Sequence, residues 1–274
     1  MKYAMTQWIF GGEPLETTLQ RLKRHGFDGI ELNPDPDCLK DTKEVRRLLD
    51  KFEIEPSVID LTPFHDLSHP DKAERDKAMD VNRTILRIAK EIGCGMMGVC
   101  GTAVGRIRAV DTYEAEWRFA VESVRTLADY AAGLGVRFVI EVINHYETCM
   151  LYNVDRSLRF MADVDHENLA VMVDTYHMNI EENDPCRAIR RVADKLVNFH
   201  ISDSNRWGVG HGHIDFIPII KTLKEIDYDG YIALEPQAPG PDPFEAVKTD
   251  DSRQIVDDHL KQSIDVLRAI EAAV

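Results

Sequence analysis

Residues 169–180 read LAVMVDTYHMNI, in which an apolar run ends at Asp174 and His177 follows three residues later. A short, continuous apolar run predicts a buried strand of a parallel sheet, because such sheets are covered on both faces. An ionisable group at the tip of a buried strand costs free energy unless it has a partner. Asp174 is therefore expected either to cap the helix that follows or to hold a ligand.

Short apolar or β-branched runs alternate with amphipathic stretches along the whole chain. The predicted strands are residues 2–9, 29–32, 55–60, 95–100, 136–143, 169–174, 196–202 and 230–236. Helical periodicity is clearest in residues 15–26, 76–93, 113–135 and 216–227. This alternation within 274 residues predicts one domain, residues 1–274, folded as a (β/α)8 TIM barrel of parallel strands. An open doubly wound sheet is the alternative, but no GxGxxG motif follows the first strand.

Composition and charge exclude several classes of function. The net charge of −15 would repel nucleic acid, so no nucleic-acid partner is expected. No segment approaches the roughly 18 apolar residues of a membrane span, so no membrane partner is expected either. The first residues lack the apolar core of a secretory signal, and the five cysteines form no CxxC pair. A cytoplasmic protein that acts on a small, neutral substrate is therefore expected.

Ionisable side chains stand at the tips of four consecutive predicted strands: Glu141, Asp174, His200 and Glu235. In a barrel these side chains would be neighbours at the carboxyl ends of the strands, where the chemistry of this fold occurs. Three carboxylates at one place repel one another unless a cation lies among them. The oxygen-rich set suits Mn²⁺, Mg²⁺ or Co²⁺ in an octahedral site, with positions left open for adjacent oxygens of a sugar.

Five segments between residues 136 and 236 resemble the D-tagatose 3-epimerase/D-psicose 3-epimerase group of the xylose-isomerase-like TIM-barrel superfamily. They are IEVINHYE (140–147), VMVDTYHMNIEE (171–182), HISDSNR (200–206), VGHGHIDF (209–216) and ALEP (233–236). The resemblance implies the same metal ligands as the strand tips do, and Mn²⁺ is the expected metal. It also implies that the protein forms a homodimer or homotetramer.

The resemblance further implies an isomerase that inverts C3 of a ketose or keto-sugar derivative. In the implied mechanism, Glu141 and Glu235 exchange the C3 proton from opposite faces of the sugar through a cis-enediolate. Substrate contacts are implied for Glu147, His177 and Arg206.

Several alternative functions would use all or some of the same residues. An enolate at C3 could expel a neighbouring group, which would make the protein a keto-sugar lyase, dehydratase or deglycosidase. An aldose–ketose isomerase is a further outcome of the same chemistry. A DNA-repair endonuclease of the same superfamily is disfavoured by the negative charge and because the fourth strand ends in Gly98-Val99-Cys100, without histidine. A sugar- or metal-binding module without activity, or a subunit that needs a partner for activity, is the last alternative. The intact pair of glutamates argues against a degenerate site but not against a partner.

Residues of the first half of the chain are candidates for lining the site or for packing: Trp8, Phe64, His65 and Trp117. Glu31 could point into the site or form a structural ion pair. Arg106 and Arg108 could bind an anion, but a solvated loop is more usual and no glycine-rich phosphate cradle accompanies them. An unphosphorylated sugar is therefore expected. Three long segments after strands could cover the site: residues 61–74, 101–113 and 236–251.

Overall fold

The computed structural model of the chain describes residues 1–238 and 248–274. Within these residues, eight strands form a single parallel sheet. They are β1 (Lys2–Met5), β2 (Gly29–Leu32), β3 (Glu55–Ile59), β4 (Met96–Val99), β5 (Arg137–Val142), β6 (Leu169–Asp174), β7 (Leu196–Ile201) and β8 (Tyr231–Leu234).

The sheet closes into a barrel between β1 and β2. The hydrogen-bonded order runs β1-β8-β7-β6-β5-β4-β3-β2, which leaves these two strands at its ends. They meet through a parallel bridge between Thr6 and Glu31. The backbone N–H of Asp28 also donates to the carbonyl of Tyr3, at 2.8 Å. The predicted (β/α)8 TIM barrel is confirmed.

Helices follow the strands and surround the barrel. They are α1 (Leu15–His25), α2 (Pro36–Leu39), α3 (Thr42–Phe52), α4 (Lys72–Ile92), α5 (Tyr113–Leu134), α6 (Val154–Val164), α7 (Thr175–Glu181), α8 (Pro185–Val192), α9 (Phe216–Glu225) and α10 (Asp250–Ala273). Short 3-10 helices occupy Gln7–Phe10 and Ala193–Lys195. In the described part of the chain, no helix is both long and apolar enough to cross a bilayer.

The element boundaries differ from the sequence prediction by more than two residues at two places. The first strand stops at Met5 instead of residue 9, because the chain turns into a 3-10 helix that buries Ile9 and Phe10. Helix α4 begins four residues earlier than residue 76, where the Asp71 side chain accepts from the backbone N–H of Ala73. The apolar pattern reports burial and not the local cap, so it located neither boundary.

Side chains of different strands pack against one another inside the barrel. Met172 of β6 contacts both Asn198 of β7 and the position of Gly98 on β4, so it lies inside the barrel. A Cβ atom added to Gly98 would lie 2.8 Å from the backbone nitrogen of Leu61 and 3.2 Å from Cε of Met172. Glycine at this position lets the chain that follows β3 pack directly against β4.

Replacing Gly98 by alanine should destabilise the protein, because backbone atoms cannot move aside as a flexible side chain can. We expect Gly98→Ala to lower the free energy of unfolding by about 1–3 kcal/mol in urea denaturation. Gly133→Ala is the matched control, since Gly133 lies within α5 and no atom would lie within 4 Å of its new Cβ. This control should raise stability by about 0.5–1 kcal/mol. Wild-type stability of Gly98→Ala would contradict the tight packing.

Candidate active site at the mouth of the barrel

Three of the predicted metal ligands meet at the carboxyl ends of their strands. Nδ1 of His200 lies 3.2 Å from Oε1 of Glu141 and 3.3 Å from Oε2 of Glu235. One ligand atom from each residue can be chosen so that all lie within 4.8 Å of one another. All three side chains are buried. Among the described residues, these three are the histidine and acidic side chains whose spacing suits a metal ion.

A third acid, Glu31, contacts the other edge of the His200 imidazole. Nε2 of His200 lies 2.9 Å from Oε2 of Glu31, which is on β2. Burial by itself would lower the pKa of His200, but the charges of Glu31 and Glu235 outweigh it and raise the pKa well above its ordinary value. Positive charge is therefore favoured at this position.

The donor atoms around His200 fit a divalent cation. Nδ1 of His200 is buried and has no hydrogen-bond partner, although two carboxylate oxygens lie close to it. A cation between this nitrogen and those oxygens would provide the missing partner and offset the repulsion between the acids. One nitrogen with several oxygens is a ligand set that Mn²⁺ accepts well.

Asp174 lies beside the tight group, and its two oxygens have different roles. Oδ1 accepts from the backbone N–H of Tyr176 at 2.8 Å and so caps α7. Oδ2 lies 3.2 Å from Nη1 of Arg206 and 3.7 Å from Nε2 of His177. Burial raises the pKa of Asp174 to about 7 even though Arg206 favours the charged form. The cap and the site thus share one carboxylate, and its role as a metal ligand stays a prediction.

Glu141 and Glu235 lie in different environments. Glu235 accepts from Nη2 of Arg206 at 2.8 Å and from the indole Nε1 of Trp8 at 2.6 Å. Burial raises its pKa, but the charges of Arg206 and His200 outweigh burial, so the pKa lies below its ordinary value. For Glu141, burial is the largest effect and the pKa is raised. Trp8, which the sequence offered only as a candidate, therefore contacts the site.

A hydrogen-bond chain fixes the side chain of His177. The backbone N–H of Asn144 donates to Nδ1 of His177 at 3.1 Å, and Nη1 of Arg206 lies 3.2 Å from Nε2 on the other edge of the ring. The amide of Asn144 also donates to Oε1 of Glu147 at 2.7 Å. Burial and then the charge of Arg206 lower the pKa of His177 well below its ordinary value, which keeps the ring neutral. Sequence reasoning missed Asn144, although it lies just after the tip of β5.

Arg206 reaches the site from a loop that is built around a buried carboxylate. Asp203 accepts backbone N–H groups of Ser204 at 2.7 Å, Gly210 at 2.9 Å and Ile214 at 3.1 Å. Burial would raise the pKa of Asp203, but these hydrogen bonds lower it. Arg206 has a positive φ of 60°, a conformation that costs free energy in a non-glycine residue and is often found at functional sites.

Two histidines of the same loop, His211 and His213, bond to groups outside the site. Nε2 of His211 lies 2.9 Å from the side chain of Gln262 on α10. Nδ1 of His213 lies 3.0 Å from Oγ of Ser204. The loop is also fixed to α10 because the backbone N–H of Val209 donates to Ser263 at 2.8 Å.

The structure also shows where several other residues near the predicted site lie. Asp60, which sequence reasoning missed, is buried just after β3, and burial together with the charge of Glu141 raises its pKa well above its ordinary value. Trp117 packs edge-on against Phe160. Phe64 is 83% exposed. Residues 239–247 of the predicted covering segment 236–251 lie outside the described residues.

Arg106 lies in a pair of ion pairs and not on a solvated loop face. Its guanidinium forms ion pairs of 2.6 Å with Asp66 and with Glu116. The side chain is largely buried, so it is not a solvated loop residue, and its charge is already balanced. Arg108 is exposed, and its carbonyl accepts from Arg106 at 3.0 Å.

Comparisons with known proteins agree with this geometry. A family model described as xylose isomerase-like TIM barrel matches residues 19–270. The D-psicose 3-epimerase of Ruminiclostridium cellulolyticum is 30% identical over 226 residues, which cover 80% of this chain and 76% of that protein. The L-ribulose 3-epimerase of a Methylomonas species is 31% identical over 214 residues, 77% of this chain and 74% of that one. The crystal structure of D-psicose 3-epimerase with D-tagatose from Clostridium cellulolyticum H10 superposes with a TM-score of 0.87 at 24% identity, covering 99% of both chains.

Replacing Asp203 should loosen the loop that carries Arg206. We expect Asp203→Asn to lower the free energy of unfolding at pH 7 by about 1–3 kcal/mol and to speed amide exchange in residues 203–214. Because the folded pKa of Asp203 is depressed, its stabilisation is present above the ordinary aspartate pKa and is lost as the pH falls through the folded value.

The stability difference between wild type and Asp203→Asn should therefore shrink below about pH 4 in urea denaturation. Asp215→Asn is the control, because Asp215 caps α9 from an exposed position and asparagine is an equally good cap. Equal losses in both variants would contradict a special role for Asp203.

Proposed function

This chain belongs to the xylose isomerase-like TIM-barrel family, with D-psicose and L-ribulose 3-epimerases among its relatives, and we propose that it is a divalent-metal-dependent sugar 3-epimerase. The protein is an isomerase, a sugar epimerase. The proposed reaction inverts C3 of a ketose or keto-sugar derivative through a cis-enediolate. The observation that carries the proposal is the pair of buried glutamates, Glu141 and Glu235, which lie 3.2 and 3.3 Å from Nδ1 of His200.

We propose that the metal, Mn²⁺ in the first instance, is held by the strand-tip set: Glu141, Asp174, His200 and Glu235. When bound, it would polarise the sugar carbonyl and acidify the neighbouring C–H bond. The orphaned Nδ1 of His200 supports this assignment. Asp174 is included because one guanidinium, that of Arg206, joins it to Glu235 at 3.2 and 2.8 Å.

The two glutamates would move the proton. One carboxylate takes the C3 proton, the electron pair of the C–H bond moves into the C2–C3 bond, and negative charge develops on O2. The other carboxylate then returns a proton to C3 from the opposite face, which inverts the centre without a redox cofactor. Glu141 comes from β5 and Glu235 from the end of β8, and these strands are separated by β6 and β7, which supports approach from two sides.

His177 and Arg206 would stabilise the charge on O2, and Glu147 would accept from a sugar hydroxyl. The hydrogen bond from Asn144 would hold the ring of His177 in place beside Arg206. Trp8 and Arg206 together orient the carboxylate of Glu235. Both donors are already in position, so little reorganisation is needed during the reaction.

Three further assignments remain proposals. The sugar is proposed to be unphosphorylated, since the charge of Arg106 is balanced by Asp66 and Glu116. A homodimer or homotetramer is supported by exposed apolar side chains on loops after β3, β4 and β5, namely Phe64, Ile107, Val110 and Tyr146. A cytoplasmic location is supported by the cysteines, all five of which are free thiols.

Incubation of the Mn²⁺-loaded protein with a panel of ketoses in D₂O tests the reaction. We expect deuterium at C3 together with the C3 epimer, detected by NMR. Loss of a substituent would favour the lyase, and label at C1 with an aldose product would favour the isomerase. Glu141→Gln and Glu235→Gln should each slow epimerisation by about 10²–10⁴-fold. Glu44→Gln, an exposed control on α3, should leave the rate unchanged.

Glu141→Gln and Glu235→Gln should also differ from each other. If the glutamates act on opposite faces, each variant should still wash deuterium out of C3 of one epimer, and the two variants should do so for opposite epimers. Normal turnover by either variant would show that the assigned proton-transfer residue is wrong.

Removal of the metal should abolish activity without unfolding the protein. We expect dialysis against EDTA to stop epimerisation and added Mn²⁺ to restore it. Mn²⁺ at 100 times its Kd should stabilise the folded state by about 2.7 kcal/mol, seen as a rise in Tm. His200→Asn should lose most of that rise. Full activity of the chelated protein would overturn the metal-dependent mechanism.

A further inference from the structure

Glu31 is a carboxylate inside the barrel, and its burial needs a physical reason. It lies on β2 with no exposed surface. Burying a carboxylate is costly unless hydrogen bonds and a charge compensate for the lost water. The ion pair that the structure gives for it is the contact between its Oε2 and Nε2 of His200, at 2.9 Å.

The partners of Glu31 lie on a strand that is not its neighbour in the sheet. Its Oε1 accepts from the amide of Asn198 at 2.6 Å, and both Asn198 and His200 lie on β7. Strands β1 and β8 separate β2 from β7 in the sheet. The contact therefore crosses the barrel interior and reaches the ring nitrogen of His200 that does not face Glu141 and Glu235.

This contact determines which edge of the imidazole faces the site. An ionised carboxylate can only accept hydrogen bonds, so the hydrogen on Nε2 of His200 points to Glu31. A histidine that binds a metal does so as the neutral imidazole, and in that form the lone pair of His200 would belong to Nδ1. That atom faces Glu141 at 3.2 Å and Glu235 at 3.3 Å and has no hydrogen-bond partner.

We propose that Glu31 is a positioning residue that fixes the ring orientation and the Nε2–H tautomer of His200, so that Nδ1 is presented to the metal. The inference rests on the proposed metal-dependent function. Carboxylates that hold a metal-binding histidine in this way commonly change metal affinity 10–100-fold when they are replaced. Glu31 thus acts through His200 and not on the sugar.

Asn198 makes a graded test possible. Its Oδ1 is buried without a hydrogen-bond partner, while its Nδ2 donates to Glu31. In Glu31→Gln, the new carbonyl can accept from His200 and the new amide can donate to Asn198 once that side chain turns over. Glu31→Gln should therefore keep the ring in place, whereas Glu31→Leu removes the acceptor.

Mn²⁺ alone is the probe, added to the purified full chain and followed by EPR of the free ion. We expect Glu31→Leu to weaken Mn²⁺ binding about 10–100-fold, and Glu31→Gln to retain affinity within about tenfold of the wild type. The kcat of Glu31→Leu should recover when Mn²⁺ is raised to saturation. Glu116→Gln, a buried acid on α5 paired with Arg106, is the matched control and should bind Mn²⁺ as the wild type does.

Circular dichroism of the metal-free proteins separates folding from metal binding. If Glu31→Leu does not fold, Asn198→Ala takes its place, since it removes one support of Glu31 and should weaken Mn²⁺ binding by a smaller factor. Wild-type affinity in a folded Glu31→Leu or Asn198→Ala variant would overturn the positioning role alone. Absence of one-to-one Mn²⁺ binding by the wild type would instead overturn the proposed metal site, and this inference with it.

Discussion

The structure depends on the gathering of acidic side chains around one imidazole at the mouth of the barrel. Glu31, Glu141 and Glu235 all lie within 3.3 Å of a ring nitrogen of His200, and all are buried. Such a cluster is unstable without positive charge, because like charges in a poorly solvated space repel one another strongly. Arg206 provides part of that charge. A divalent cation, which the donor atoms fit, would provide the rest.

The scaffold explains how so much charge is held in one place. Three different strands, β2, β5 and β8, bring these acids together, while the loop around Asp203 carries Arg206 inward. Neighbouring side chains then give the two proposed proton-transfer groups different properties. Arg206 and His200 favour the charged form of Glu235, whereas burial raises the pKa of Glu141. The surroundings thus shift the pKa values of these two glutamates in opposite directions.

The fold could be predicted because its signal is repeated eight times along the chain. Each strand is a short apolar run, so an error at one boundary, such as the early end of β1, does not change the topology. The tips of β5 to β8 could be predicted for the same reason, since an acid or histidine ends each apolar run. Individual side-chain contacts have no repeated pattern in the sequence from which they could be predicted. Asn144 and Asp60 lie just past strand ends but carry no pattern of their own, and the ion pairs of Arg106 join residues that are distant in sequence.

The sequence by itself determined the barrel, the strand-tip residues and, through its resemblance, the chemistry proposed for them. These properties depend on local periodicity and on order along the chain, which the sequence states directly. Only the tertiary structure decided that Asp174 caps α7 while facing Arg206, that Trp8 contacts Glu235, and that Glu31 reaches His200 across the barrel. The last two contacts join residues more than 160 positions apart, and they exist because closing the barrel turns these side chains toward one interior.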